Sequence, residues 1–263
     1  MEENKGMSFF QHLEELRWRL VRSSIVIVIL AGAIWVFRTW IMEHLFLSMA
    51  SNDFITFKLM CSYFVACVDP IHIEMISTEM AGQFSYALMM SIVGGLVVAF
   101  PYIFWELWSF VKPGLRQNEV KAVRGIVFYV SFLFFCGVLF GYFIVAPLCV
   151  QFFGDFQISK GIKNTFTIGS YMSTIITTVA YSGLIFLLPM VIYFFSKLGL
   201  ITPAFLRKYR KHAIVFVLIL SAIITPPDVL SQIIVSIPIL MLYEIGILVS
   251  ARVEKQRIKK ELK

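Results

Sequence analysis

The chain has 263 residues, 59% of them hydrophobic and 15% charged, with a net charge of +7. A mean hydropathy of +0.83 excludes a soluble globular domain and places the chain among integral membrane proteins. The excess Lys and Arg lies between the apolar runs, which makes it a topogenic, lipid-facing charge and not a nucleic-acid footprint.

Met1–Gln11 lacks the apolar core of a cleavable signal peptide, so the first span is expected to be retained. Ser8 and Gln11 have capping-box spacing, and Phe9, Leu13, Leu16 and Leu20 recur on one face of the helix that follows. Residues 8–22 are therefore expected to form an amphipathic helix in the membrane interface, turning afterwards into the first span. Glu15 and Arg19 stand at i, i+4. A solvated ion pair accounts for that spacing, and so does a Glu15 presented to a cationic ligand. The first span is Ser23–Phe37, between Arg22 and Arg38. Residues 38–79 read as a partly ordered cap with helical pieces. They contain Cys61 and Cys67, for which a disulfide and two free thiols are both open.

The second span, Met80–Trp105, closes on interfacial aromatics (Trp105, Trp108 and Phe110) and is stopped by Lys112-Pro113-Gly114. Glu106 lies six residues before Lys112, about 9 Å below the boundary, where a carboxylate must face protein or water. Glu119 falls in the first turn of the third span, Gly125–Gly154 with its approach. It complements the helix dipole there, or forms with Glu15 an acidic clamp for a cation. Cys136 and Cys149 read as small buried hydrophobes. The fourth span is Asn164–Ser196 and the fifth is His212–Pro227, whose 16 residues give about 24 Å of helix against a core of ~30 Å. A locally thinned bilayer or an inward-displaced turn is expected at Thr225-Pro226-Pro227-Asp228, with Asp228 and Gln232 one helical turn apart near the outer face. The sixth span, Val229–Ala251, carries Pro238 as an expected kink and Glu244 about 12 Å deep; residues 251–263 form a basic tail.

Six spans put both termini on one side. Nineteen of the 23 Lys and Arg residues fall there: Lys5 to Arg22, Lys112 to Arg124, Lys197 to Lys211 and Arg252 onward. By the positive-inside rule both termini are cytoplasmic, in a plasma (inner) membrane. The reading is thus an all-α, single-domain, six-span polytopic protein. Scattered histidines give no metal site, and no cofactor is implied. Gly-x-Ser-x-Gly, His-Glu-x-x-His and a Walker A loop are absent, so neither an intramembrane hydrolase nor an ATPase is indicated. A proton-coupled transporter of a small solute, using Glu106, Glu244 and Asp228, is the rival reading.

Several landmarks occur together and in order. They are His12-Leu13-Glu14-Glu15-Leu16-Arg17, Phe110-Val111-Lys112-Pro113-Gly114-Leu115 with Glu119, Tyr142-Phe143 with Pro147, Thr225-Pro226-Pro227-Asp228, Ser231-Gln232, Ile237-Pro238 and Glu244-Ile245-Gly246. From about Phe9 to Ser250 the chain resembles the TatC family, the multi-span subunit of the twin-arginine protein translocase. The resemblance implies a receptor for Arg-Arg signal peptides that exports folded proteins with small single-span partners of the TatA/TatB type, in a homo- or hetero-oligomer driven by the proton-motive force. It implies that Glu15 and Glu119 take the arginine pair, with Arg17, Phe110 and Pro113 in the same patch. Intramembrane or partner contacts are implied for Glu106, Tyr142, Asp228, Gln232 and Glu244. Two departures stand out. Phe186-Leu187-Leu188-Pro189 lacks the polar residue many relatives place before that proline, and Leu45-Phe46-Leu47-Ser48 lacks the proline of their first outside loop.

Overall fold

The computed structural model describes residues 9–50, 54–56, 58, 75–111, 125–159, 164–225 and 229–261. The helices in chain order are α1 (Phe9–Val36), α2 (Arg38–Ile41), α3 (Gly82–Val111), α4 (Ile126–Phe140), α5 (Ala146–Asp155), α6 (Ile168–Ile185), α7 (Leu188–Lys197), α8 (Pro203–Lys208), α9 (Arg210–Ile224) and α10 (Val229–Glu261). Strands β1 (Met75–Ile76) and β2 (Phe166–Thr167) pair in parallel, Met75 opposite Phe166. Among the described residues five helical stretches are long and apolar enough to cross a membrane: His12–Val36, Gly82–Val111, Ile126–Asp155, Ile168–Lys197 and Ser231–Lys259. The protein is an all-α polytopic membrane protein. The short fifth span of the sequence reading is α9, whose 15 residues reach about 22 Å.

Two boundaries differ from expectation. No turn separates the entry segment from the first span: α1 runs unbroken through Arg22. The basic tail is likewise not a separate segment, because α10 continues to Glu261 with Pro238 inside it. Charge marks where apolar surroundings end, but Arg, Lys and Glu are strong helix formers and carry a helix onward. Cys61, Cys67, Pro113, Glu119 and Asp228 lie outside the described residues.

The chain divides into two compact units. The first comprises residues 1–41 and 87–132. Here α1 and α3 run antiparallel, since His12 meets Phe110, Arg19 meets Glu106, Ala31 meets Gly95 and Ile34 meets Gly94. Among the described side chains of α1 only Ser23 is buried. Ile25, Val28 and Ile29 point outward, as befits a helix solvated by lipid.

The second unit comprises residues 42–86 and 133–263. Three apolar clusters hold it. Met49, Phe54, Ala146, Val150, Tyr171 and Ile175 form one. A second joins Val145 and Cys149 to Val217, Val235 and Ile239, and a third packs Ile192 and Leu206 on Ile247. Glycine permits the tightest approaches: a Cβ on Gly137 would stand 2.6 Å from the Ser182 carbonyl oxygen. The third and fourth spans are each interrupted just before a proline. A π-helical turn, Gly141–Val145, joins α4 to α5 ahead of Pro147, and Phe186-Leu187 separates α6 from α7 ahead of Pro189. Helix α7 ends in a Schellman turn: Leu200 N–H donates to Phe195 O and Gly199 N–H to Ser196 O, with Gly199 at φ +77°.

Candidate functional site

The candidate residues separate into one bonded cluster in the first unit and three isolated contacts in the second. The cluster is built on one face of α1 near its start. Glu15 and Arg19 are one turn apart, and Arg19 Nε and Nη2 both donate to Glu15 Oε1, at 3.1 and 2.5 Å. The same guanidinium reaches α3, where Nη1 donates to Glu106 Oε2 at 3.1 Å and to the Glu106 carbonyl at 3.3 Å. The other carboxylate oxygen of Glu106 accepts from the Tyr102 hydroxyl at 2.8 Å. One arginine fork thus bridges two carboxylates.

Burial grades across the cluster. The Glu106 side chain is 3% exposed, Arg19 18% and Glu15 28%. The deep acid is affordable only because both its oxygens are satisfied by donors, one of them charged. Glu15, at the rim, remains open to an approaching group. Phe110 lies on the same side of this unit, stacked on His12 with ring centroids 4.1 Å apart.

Arg17 is exposed beside the Trp18 ring, its guanidinium carbon 5.9 Å from the centroid. Two residues along a helix turn about 200°, so Arg17 and Arg19 leave α1 on opposite faces. Arg17 therefore stands apart from the Glu15–Arg19–Glu106 cluster. Arg19 and Tyr102 are the members that the sequence reading did not assign to the site. The i, i+4 spacing of Tyr102 and Glu106 is visible in the chain; the link from Arg19 to Glu106 is not.

In the second unit Tyr142 donates to the Leu45 carbonyl at 2.9 Å. Gln232 donates through Nε2 to the Leu218 carbonyl at 2.9 Å, tying α10 to α9. Glu244 accepts from Arg210 at 2.6 Å, and both side chains are half-exposed. These contacts give each residue a structural partner. Among the described residues no group of His, Cys, Asp and Glu could hold a metal ion.

A family model described as Sec-independent protein translocase protein (TatC) matches residues 11–238. The Sec-independent protein translocase protein TatC of Blattabacterium sp. subsp. Periplaneta americana (strain BPLAN) is 38% identical, over 97% of this chain and 99% of its own length. The protein of the same name from Carboxydothermus hydrogenoformans is 32% identical over 99% and 100%. A crystal structure of the twin arginine translocase receptor TatC superimposes with a TM-score of 0.68 at 31% identity, covering 91% of this chain and 97% of that one. With near end-to-end matches in sequence and in structure, the chain belongs to the TatC family and is a membrane component of the Sec-independent protein translocase.

Proposed function

We propose that this subunit is the receptor for twin-arginine signal peptides, with Glu15 and Glu119 gripping the arginine pair at the cytoplasmic face. Small single-span partners of the TatA/TatB type then join it to export the folded cargo. One observation carries the reading: the Glu15 carboxylate, at the rim of a buried polar cluster, already seats a guanidinium through two N–H donors. An arginine offers that fork and a lysine does not. In this reading Glu119, Phe110 and Pro113 complete the patch, Arg17 lies on the opposite face of α1, and the positive-inside pattern supports a cytoplasmic position for the patch. Two of the three acids demanded by a proton-coupled transporter are engaged otherwise, Glu106 with Arg19 and Glu244 with Arg210, and the third, Asp228, lies outside the described residues.

Exposed ion pairs supply ~0–1 kcal/mol each, whereas a micromolar site needs about 8 kcal/mol. The acids therefore select, and the apolar stretch of the signal provides most of the affinity. The test is photo-crosslinking of a twin-arginine signal peptide to the protein in membranes. Crosslinking is expected to weaken with Glu15→Gln, with Glu119→Gln and with a Lys-Lys peptide, and to fail with a peptide whose apolar stretch is made polar. Undiminished crosslinking in both variants would return the two acids to a helix ion pair and a dipole-capping residue.

A further inference from the structure

We propose that Arg19 is a resident occupant of the Glu15 carboxylate, and that Glu106 is the positioning residue that keeps Arg19 paired when an incoming guanidinium takes Glu15. This rests on the receptor reading. In the structure Arg19 divides its donors, Nε and Nη2 to Glu15 and Nη1 to the side chain and carbonyl of Glu106. Glu15 uses a single oxygen for this, and its second oxygen has no hydrogen bond among the described residues. An arriving arginine must share Glu15 with Arg19 or displace it. Displacement would ordinarily strand a partly buried guanidinium, which is strongly unfavourable.

Here it does not, because Arg19 retains two acceptors on Glu106, and that acid is in turn fixed by Tyr102. Among the described residues the other charged side chains near the cluster are on α1 itself: Glu14, Arg17 and Arg22 are exposed, and none is bonded to either carboxylate. Arg19 is the one cation bonded to Glu15 among the described residues. Glu106 thereby lowers the cost of freeing Glu15, although it never touches the signal peptide.

Binding of a fluorescent twin-arginine signal peptide to the purified protein in nanodiscs tests this. Glu106→Gln leaves the displaced Arg19 with a neutral acceptor, and affinity is expected to fall about 5- to 10-fold, the difference between a charge-assisted and a neutral hydrogen bond. Removing the occupant as well, in Arg19→Gln with Glu106→Gln, leaves nothing to displace, and affinity is expected to return to the wild-type value or above it. A merely structural role would make the double variant as weak as the single one, or weaker, and would overturn the proposal. So would wild-type affinity in Glu106→Gln. Should Glu106→Gln not assemble, Arg19→Lys carries the test: an ammonium bridges the two acids less well, so binding is expected to tighten about 3-fold, and weakening overturns the idea. Glu15→Gln separates the two levels. Wild-type affinity in that variant defeats the receptor reading itself, whatever the others show.

Discussion

At Gly95 a Cβ would lie 2.8 Å from the Ala31 backbone nitrogen and 3.0 Å from its Cα, so only hydrogen fits between α3 and α1. Gly32, one residue further along α1, has nothing within 4 Å of the same position. Both are inside helices, where alanine is preferred by about 1 kcal/mol. Gly32→Ala is therefore expected to leave stability unchanged or raise it by up to about 1 kcal/mol. Gly95→Ala is expected to lower it by about 1–3 kcal/mol, because backbone must move. Thermal unfolding in detergent distinguishes them, and equal shifts would contradict the contact. Glycine identity alone does not reveal this difference, which depends on what crosses at that point. The same holds for the acids. The Glu15–Arg19 pair is legible as i, i+4 spacing, but the bond from Arg19 to Glu106 joins residues 87 apart and has no local signature. Glu106 and Glu244 look alike in the chain as acids within apolar runs, yet one is buried between two donors and the other half-exposed beside Arg210.

The third span shows what a proline does to an element and how the chain responds. Pro147 has no N–H, so the Phe143 carbonyl four residues earlier loses its helical donor. The helix widens to a π turn over Gly141–Val145, and the freed Phe143 carbonyl accepts a hydrogen bond from the Thr56 hydroxyl. The helix defect thus becomes the docking point of the segment after α2, which Phe54 fastens by packing against Tyr142 and Phe143. Thr56→Val is expected to destabilise the protein by about 1–3 kcal/mol by leaving that carbonyl unpaired. In a Pro147→Ala background, where an N–H is restored, the same substitution is expected to cost less than half as much. Denaturation of the four proteins as a double-mutant cycle measures the difference, and additive effects would refute the link. The apolar runs reveal that the five long helical stretches exist and where each lies, since length and lack of charge are what a bilayer selects. They do not reveal the π turn, nor that α1 and α10 extend through their charged ends. Those follow from backbone donors and helix propensity, to which hydropathy is blind.

For the whole molecule the decisive element is α9, the short fifth candidate span. Five long helices would leave the termini on opposite sides of the membrane. The Lys and Arg of the last segment, from Arg252 onward, would then sit across from those around Arg17 to Arg22. That arrangement opposes the positive-inside bias, since it splits the two largest terminal concentrations of charge. If α9 also crosses, every basic cluster falls on one side. Its 15 residues reach about 22 Å against ~30 Å, a mismatch that local thinning of the bilayer can absorb at modest cost per ångström. The gain is larger, because translocating a cluster of Lys and Arg is strongly disfavoured. Crossing of α9 is therefore expected, and with it termini on the same, cytoplasmic side. In a variant without the four cysteines, single cysteines at Phe10 and Lys259 are expected to react with a membrane-impermeant maleimide in inverted vesicles and not in intact cells. Labelling of the Lys259 position from outside, with Phe10 protected, would mean that α9 enters and leaves on one face.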